Sequence, residues 1–399
     1  MKTFATISLV LSVSGLAAHA DWTAFRGSAG NGFADAPGLT AKLDAEKSIT
    51  WKAELPGRGL SSPVVVGDRI FLTAASGPRQ ERLHVFAINA KSGKTIWERQ
   101  FVATGRTFCH KKTCVAAPTP VSDGKFLAAQ FSSNDVFCLD LDGNLKWLRG
   151  LTHDYPNAAN SLGMSSSPVL ADGVFVTQVE NDADSFSAGL DLATGKTLWR
   201  KARPKGANWT SPTVLKGKKG DLVVLQSKAG LLVVEPSTGK ERWNYEDGAA
   251  TITSTTVSGS DLFVPSNGLT ALRSREDGRS HTQIWRENKL RPGTASPVVS
   301  DGKIYVLNGA NVLTSANPAN GELIWRLRLT GPFSGSPVAT KTHAYVFSEK
   351  GLGQVVDLTG KEGKVVSKID LKETILCTPA ISGNALYLRS DAHLWKFGG

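Results

Sequence analysis

Apolar and polar residues alternate in short runs along most of the chain, as at Ile304 and Val306 or at Leu323, Trp325 and Leu327. That period of two is the pattern of half-buried strands. Asp-Gly, Gly-Asp and Gly-Lys pairs separate the runs, and these are residues that tight hairpins require. Two signatures recur. The first is Gly-x-x-x-Trp: GKTIW at 93–97, GNLKW at 143–147, GKTLW at 195–199, GKERW at 239–243 and GELIW at 321–325. HTQIW at 281–285 and SITW ending at Trp51 keep the Trp without the Gly. Trp51, Trp97, Trp147, Trp199, Trp243, Trp285 and Trp325 therefore fall 40 to 52 residues apart. The second signature takes the forms SSPVVVGDRIFL, APTPVSDGKFLA, SSPVLADGVFV, TSPTVLKGKKGDLVVL, TSTTVSGSDLFV, ASPVVSDGKIYVL, GSPVATKTHAYVF and CTPAISGNALYL, eight in all.

Each unit reads as four strands joined by turns, and a period of ~40–50 residues with four strands marks a β-propeller blade. The expected fold is all-β: an eight-bladed propeller over residues 47–399 with four-stranded antiparallel blades. WD40 repeats are disfavoured because no Trp-Asp or Gly-His pair occurs. The eighth unit ends after three strands, while KSITWKAEL at 47–55 is a fourth strand with no unit before it. Pairing the two closes the ring and removes both sheet edges. Residues 21–46 are expected to be an irregular N-terminal segment, with Trp22 and Phe25 packed on the outside of the ring.

Residues 1–20 carry Lys2, an apolar run from Ile7 to Ala18 and a small-x-small site at 18–20, the form of a signal peptide cleaved after Ala20. A secreted or periplasmic protein without a membrane span is expected, since no later stretch approaches 18 apolar residues. Lys and Arg exceed Asp and Glu by 46 to 35, and the excess is spread along the chain. This reads as a solvated basic surface, with no nucleic-acid partner expected. An apolar content of 41% with 20% charged residues excludes a disordered or collagen-like chain.

One Trp per unit at a fixed position points to a structural wedge between neighbouring blades. A buried Trp covers ~150–250 Å², worth ~4–6 kcal/mol gross at ~25 cal/mol/Å². The seventh unit has Ser367 in that place and is expected to dock more weakly. The fuller forms AINAKSGKTIW at 87–97 and GLDLATGKTLW at 189–199 resemble the tryptophan-docking motif of quinoprotein dehydrogenases and PQQ-like repeat propellers. The latter include the propeller component of the outer-membrane barrel-assembly machinery. DWTAFRGSAGNG and PGRGLSSPVVVGDRIFLT resemble secreted PQQ-like propellers of planctomycete-type bacteria, and the resemblance covers residues 21–399. Departures are Asn89 and Asn317 for Asp, Glu235 for Asp, the shortened LDLDGNLKW at 139–147, and Ser367.

A quinoprotein dehydrogenase implies a Ca²⁺ or lanthanide site of Glu, Asn and Asp, a general-base Asp and an adjacent Cys-Cys disulfide. No Cys-Cys pair occurs and the units are nearly minimal, so no cofactor and no metal is expected; PQQ with Ca²⁺ belongs only to the alternative reading. Ile88 and Leu190 stand where a phosphate loop needs Gly before GKT at 93–95 and 195–197. HExxH, CxxC and GxSxG are absent.

The links from the fourth strand of one blade to the first of the next lie on one face of a propeller, around the channel mouth. Two are long, at 102–117 and 150–166, and long loops on a rigid ring are where binding lives. The candidate ligand-binding residues on this face are Arg58, Arg106, His110, Lys111, His153, Asn160, Trp209 and Arg291, with Lys112, Asp154, Met164 and Phe333 beside them. The set is cationic with interleaved aromatics and suits an anionic ligand, a glycan or an extended peptide. Cys109 and Cys114 are expected to form a disulfide in an oxidising compartment, with Cys138 and Cys377 as buried thiols. The expected function is a monomeric, non-catalytic binding or scaffold module for a protein or extracellular polymer partner. The alternatives are a reduced quinoprotein oxidoreductase and an outer-membrane assembly factor.

Overall fold

The computed structural model describes residues 21–158 and 162–399. These form eight four-stranded antiparallel sheets. Blades 1 to 7 run through residues 64–102, 121–150, 169–202, 213–245, 256–287, 298–328 and 338–370, each in the order of the sequence. Blade 8 takes Ala380–Ser382, Ala385–Arg389 and His393–Gly398, and Ile49–Glu54 joins it as the outermost strand. That strand pairs from Ile49↔Phe397 to Glu54↔His393, so the ring is closed by its own beginning. The one helix among the described residues is a single turn, Leu151–Asp154.

Burial follows strand position. Middle strands such as Leu222–Ser227 are buried at every residue, because neighbouring sheets cover both faces. Outer strands such as Thr197–Ala202 bury mainly the Trp. That is why alternation survives on fourth strands such as Lys364–Asp370 and is lost on second strands, including Lys303–Leu307, where Ile304 and Val306 are buried together with Tyr305 between them.

Each outer-strand Trp packs on the turn between the third and fourth strands of the following blade. Gly93, Gly143, Gly195, Gly239 and Gly321 all have positive φ, and a Cβ on any of them would sit 2.6–2.8 Å from the Trp ring of the preceding blade. Glycine is therefore required twice at each turn, for its dihedral and for the contact. The indole N–H donates into the same turn: Trp51 to the Ala90 carbonyl, Trp97 to Leu141, Trp147 to Leu192, Trp199 to Pro236 and Trp285 to Pro318, at 2.6–3.2 Å.

Three interfaces depart from this rule; at one of them Trp325 packs on Gly363, but its N–H has no partner among the described residues. Trp243 meets His281 in place of Gly, with ring centroids 4.7 Å apart, and its N–H has no partner. At blade 7, Ser367 does not leave a gap. Its hydroxyl accepts the Leu43 N–H at 2.9 Å and donates to the Leu43 carbonyl at 3.2 Å. Buried Leu39 and Leu43 occupy this region, and the Tyr345 hydroxyl donates to the Thr40 carbonyl at 2.9 Å. The N-terminal segment thus supplies the packing that the missing Trp would have given.

The same segment corrects the expectation for Trp22 and Phe25, which are not on the outside of the ring. Trp22 is buried and pairs with Val65 on the innermost strand of blade 1. The chain then crosses the face of the first hairpin turns. The Thr23 carbonyl accepts the Ser122 N–H of blade 2. Arg26, wholly buried, donates to the Thr256 hydroxyl of blade 5 and the Pro297 carbonyl before blade 6. Phe33 pairs with Ala339 of blade 7, and the Gly38 N–H donates to Asn384 of blade 8. Phe25 ends up beneath the channel, lining both a small cleft formed with the segment and the larger cavity above it.

Replacing Trp97 by Ala is expected to cost about 3–5 kcal/mol, whereas Ser367→Ala, which loses two bonds to one residue, is expected to cost about 1–2 kcal/mol. Urea unfolding of the two variants checks the ranking. Equal losses would mean that the Trp wedge carries no special weight.

Candidate functional site

The innermost strand of each blade is a sheet edge facing the channel. In seven blades it is entered through Ser-Pro or Thr-Pro: Pro63, Pro120, Pro168, Pro212, Pro297, Pro337 and Pro379. Proline at an inner edge removes an N–H that has no strand to pair with. Blade 5 has Thr255 instead, and its N–H is satisfied by the Gln226 side chain at 2.7 Å.

The hydroxyl before each of these positions joins blade to blade. The Ser62 N–H donates to the Thr119 hydroxyl oxygen, Thr119 to Ser167, Ser167 to Ser211, and Ser211 to Ser254. The series continues from Ser254 to Ser296, Ser296 to Ser336 and Ser336 to Thr378, and all seven distances are 2.9–3.0 Å. The eighth link, across the closure, is missing among the described residues: the Ser62 hydroxyl has no partner. Arg389 is buried at this closure and donates to the Ser61 hydroxyl at 2.8 Å and the Thr73 carbonyl at 2.7 Å. A Cβ at Gly59 would collide with its guanidinium, which explains the glycine of the PGRGL turn.

All eight belt residues line a cavity of about 440 Å³ on the ring axis. Phe25 lies below, and Leu60, His110, Lys112, Leu162, Trp209, Ile252 and Leu376 rise around it. Trp209 is set by its neighbours. Its indole N–H donates to the Gly163 carbonyl at 2.9 Å and its backbone N–H to the Thr251 carbonyl at 2.8 Å. The preceding residue, Asn208, donates to Glu180 at 2.9 Å and to the Gln226 carbonyl at 2.7 Å. Glu180 is in turn paired with Arg203 at 2.7 Å, their side chains only 1% and 5% exposed. Burial pushes the Glu180 carboxyl above its usual range, and the Arg203 charge opposes that.

Of the candidates named from the sequence, the cavity brings together His110, Lys112 and Trp209. Arg58 is committed elsewhere: it pairs with Asp391 at 3.1 Å and donates to the Thr113 and Lys111 carbonyls at 2.9 Å, clamping the first long loop. Lys112 is neutralised by both oxygens of Glu349 at 3.0 Å. Arg106 lies over the exposed Phe108 ring, and Lys111, His153 and Arg291 are exposed and do not line the cavity. Asp154 pairs with Arg149, and Met164 and Phe333 are core. Asn160 lies outside the described residues, as does the expected signal peptide. The belt, Phe25, Leu60, Ile252 and Leu376 were not among the candidates. The recurring Ser-Pro was the available signal for the belt.

The expected Cys109–Cys114 disulfide is not formed; all four cysteines are free thiols. Cys109 turns toward the Ser132 hydroxyl at 3.6 Å and packs at Gly163, while Cys114 is wholly buried in the interface of blades 1 and 2. Burial raises the Cys114 thiol to about 12 and Cys377, which lines the cavity, to about 11. Both are protonated at neutral pH and poor nucleophiles.

Among the described residues, none lining the cavity is Asp or Glu. Among the described residues no three His, Cys, Asp or Glu gather as a metal cluster. Ca²⁺ takes six to eight oxygen ligands, carboxylates among them. The residues present do not fit a Ca²⁺-bound quinone.

A family model described as outer membrane protein assembly factor BamB matches residues 14–181, 157–273 and 267–365. A polyvinylalcohol dehydrogenase of Pseudomonas sp. is 23% identical over 422 aligned positions, covering 90% of this chain and 56% of that protein. The chain thus spans little more than half the length of that relative. An outer membrane protein assembly factor BamB of Burkholderia pseudomallei is 22% identical, covering 89% of this chain and 88% of that one. Among solved structures, a europium-containing methanol dehydrogenase superposes with a TM-score of 0.74 at 12% identity, covering 95% of this chain and 98% of that one. At that identity the likeness is one of fold.

Arg203→Ala is expected to destabilise by about 3–5 kcal/mol, because it strands the buried Glu180 charge. The double replacement by Arg203→Leu and Glu180→Leu is expected to recover most of that loss in thermal unfolding. In thiol labelling, the native protein is expected to react at Cys109 first and to show four thiols once unfolded. A count of two in the unfolded, unreduced protein would restore the disulfide.

Proposed function

The chain belongs to the family described as outer membrane protein assembly factor BamB, and from that premise we propose a non-catalytic, monomeric binding module outside the cytoplasm, engaging a protein or polymer partner at its link face. The observation that carries this reading is the axial cavity, underlain by Phe25 and rimmed by apolar side chains that face solvent. Ile252 is 51% exposed and Leu162 41% exposed at the rim. Phe108, in the first long loop, is 59% exposed. Exposed apolar side chains gathered on one face of a rigid scaffold are the usual mark of an interaction site. The ring supplies that rigidity, since wedges and belt hold each blade at two radii. The relatives' names support a macromolecular partner, whether an assembling membrane protein or a synthetic polymer.

The likeness to polyvinylalcohol dehydrogenase favours a second reading, a quinone-dependent oxidoreductase. The carboxylate-free wall weighs against it.

A photo-crosslinking residue placed at Ile252 is expected to capture a discrete partner in cells that produce the protein, while the same residue at Lys219, on the opposite face, is expected to capture none. Adducts formed only from position 219 would overturn the choice of face. Adding PQQ with Ca²⁺ is expected to leave the melting temperature unchanged and to support no dye-linked alcohol oxidation. A clear thermal shift together with turnover would establish the oxidoreductase instead.

A further inference from the structure

We propose that the axial cavity holds a neutral saccharide unit, so that the polymer engaged at the mouth is a glycan. This rests on the mouth being a binding site, and it goes beyond that reading in naming the ligand's chemistry.

The hydrogen bonds of the belt point to that ligand. Seven belt hydroxyls each spend an oxygen lone pair on the N–H of the blade before. The described residues offer their protons no acceptor. A hydroxyl that accepts a hydrogen bond is polarised into a better donor. Several acceptors near the wall are already engaged, the unpartnered ones among the described residues being Gln178 Oε1 and the hydroxyls of Thr113 and Ser62. Gln178 donates to the Thr210 carbonyl, Gln226 to those of Ala250 and Thr253, and the Thr294 hydroxyl to that of Phe333. The wall therefore presents donors in a ring and few free acceptors.

The ligand must bring acceptors without needing many in return. An extended peptide carries an N–H for nearly every C=O, and those donors would be stranded. A sugar has ring and glycosidic oxygens that only accept, and hydroxyls that can accept inward while donating toward solvent. Charge narrows the class further. Lys112 and Arg58 are each neutralised by a carboxylate, so an acidic sugar gains little there, and among the described residues no acid lines the cavity to hold a cationic one. Trp209 supplies the stacking face. Its N–H is committed to Gly163, and its ring lines the cavity with Leu60, Ile252 and Leu376, apolar surface for the C–H face of a pyranose. The volume of about 440 Å³ lies within the range of small-ligand pockets.

The test is calorimetric titration of the full chain with cellotriose, maltotriose, tri-N-acetylchitotriose, trigalacturonate and an Ala-Leu-Ala peptide, each up to about 10 mM, a range that reaches weak millimolar binding. At least one neutral trisaccharide is expected to bind. Ser211→Ala with Ser254→Ala is expected to weaken it about tenfold, as is Trp209→Ala, while Trp209→Phe stays within about threefold. Circular dichroism and melting curves of the variants guard against misfolding; if the double variant does not fold, Ser254→Ala alone is read. Binding of the peptide or the uronate with no neutral sugar bound would overturn the saccharide assignment and leave the mouth as a binding site. Sugar binding unmoved by the Trp209 and belt variants would place it elsewhere and overturn the proposal. No binding by any probe, with no adduct at position 252, would remove both readings.

Discussion

Everything in this ring depends on how an indole meets a backbone. The outer-strand Trp of one blade lies on a glycine of the next, closer than any Cβ would allow, and donates its N–H into the same turn. One contact thus fixes distance and orientation between neighbouring sheets. At the opposite radius, the Ser/Thr belt joins the same pairs of blades by N–H to hydroxyl bonds. Two sets of links, one near the rim and one near the axis, hold the angle between blades, and a constant angle determines how many blades close the circle.

The irregular places are where the protein acquires its particular form. Where Trp is replaced by Ser367, the N-terminal segment packs in. Where the circle closes, the belt lacks a link and a buried Arg389 fills the space left by Gly59. The segment that repairs blade 7 also crosses beneath the channel and puts Phe25 under the cavity. Its course turns a channel through the ring into a pocket facing the links. Deleting that segment would alter stability and site together.

Much of the architecture is legible from spacing. Trp51 with no unit before it, and a last unit with three strands, imply closure by the first strand, and the pairing from Ile49 to Glu54 is that closure. The repeat is legible because most blades solve the same packing problem with the same residues. The site is less so. Charges on the link face read from sequence as a cationic mouth, yet Arg58 and Lys112 are paired with Asp391 and Glu349, which lie hundreds of residues away. Cys109 and Cys114 are close in sequence and border the same cluster between blades 1 and 2, yet both are free thiols, with Cys109 turned toward the Ser132 hydroxyl. The belt was written in the repeat as Ser-Pro and Thr-Pro, where the hydroxyl is easily read as a strand-entry residue.

The amino-acid order alone determined the blade count, the wedge positions and the strand that seals the ring, because these follow from local periodicity repeated at a regular interval. The tertiary structure alone decided which charges are free, that the thiols stay unbonded, and that eight separate hydroxyls converge on one axis above Phe25. The reason is physical: strand pattern and turn chemistry act over a few residues, whereas neutralisation and convergence arise between residues that meet only when the circle has closed.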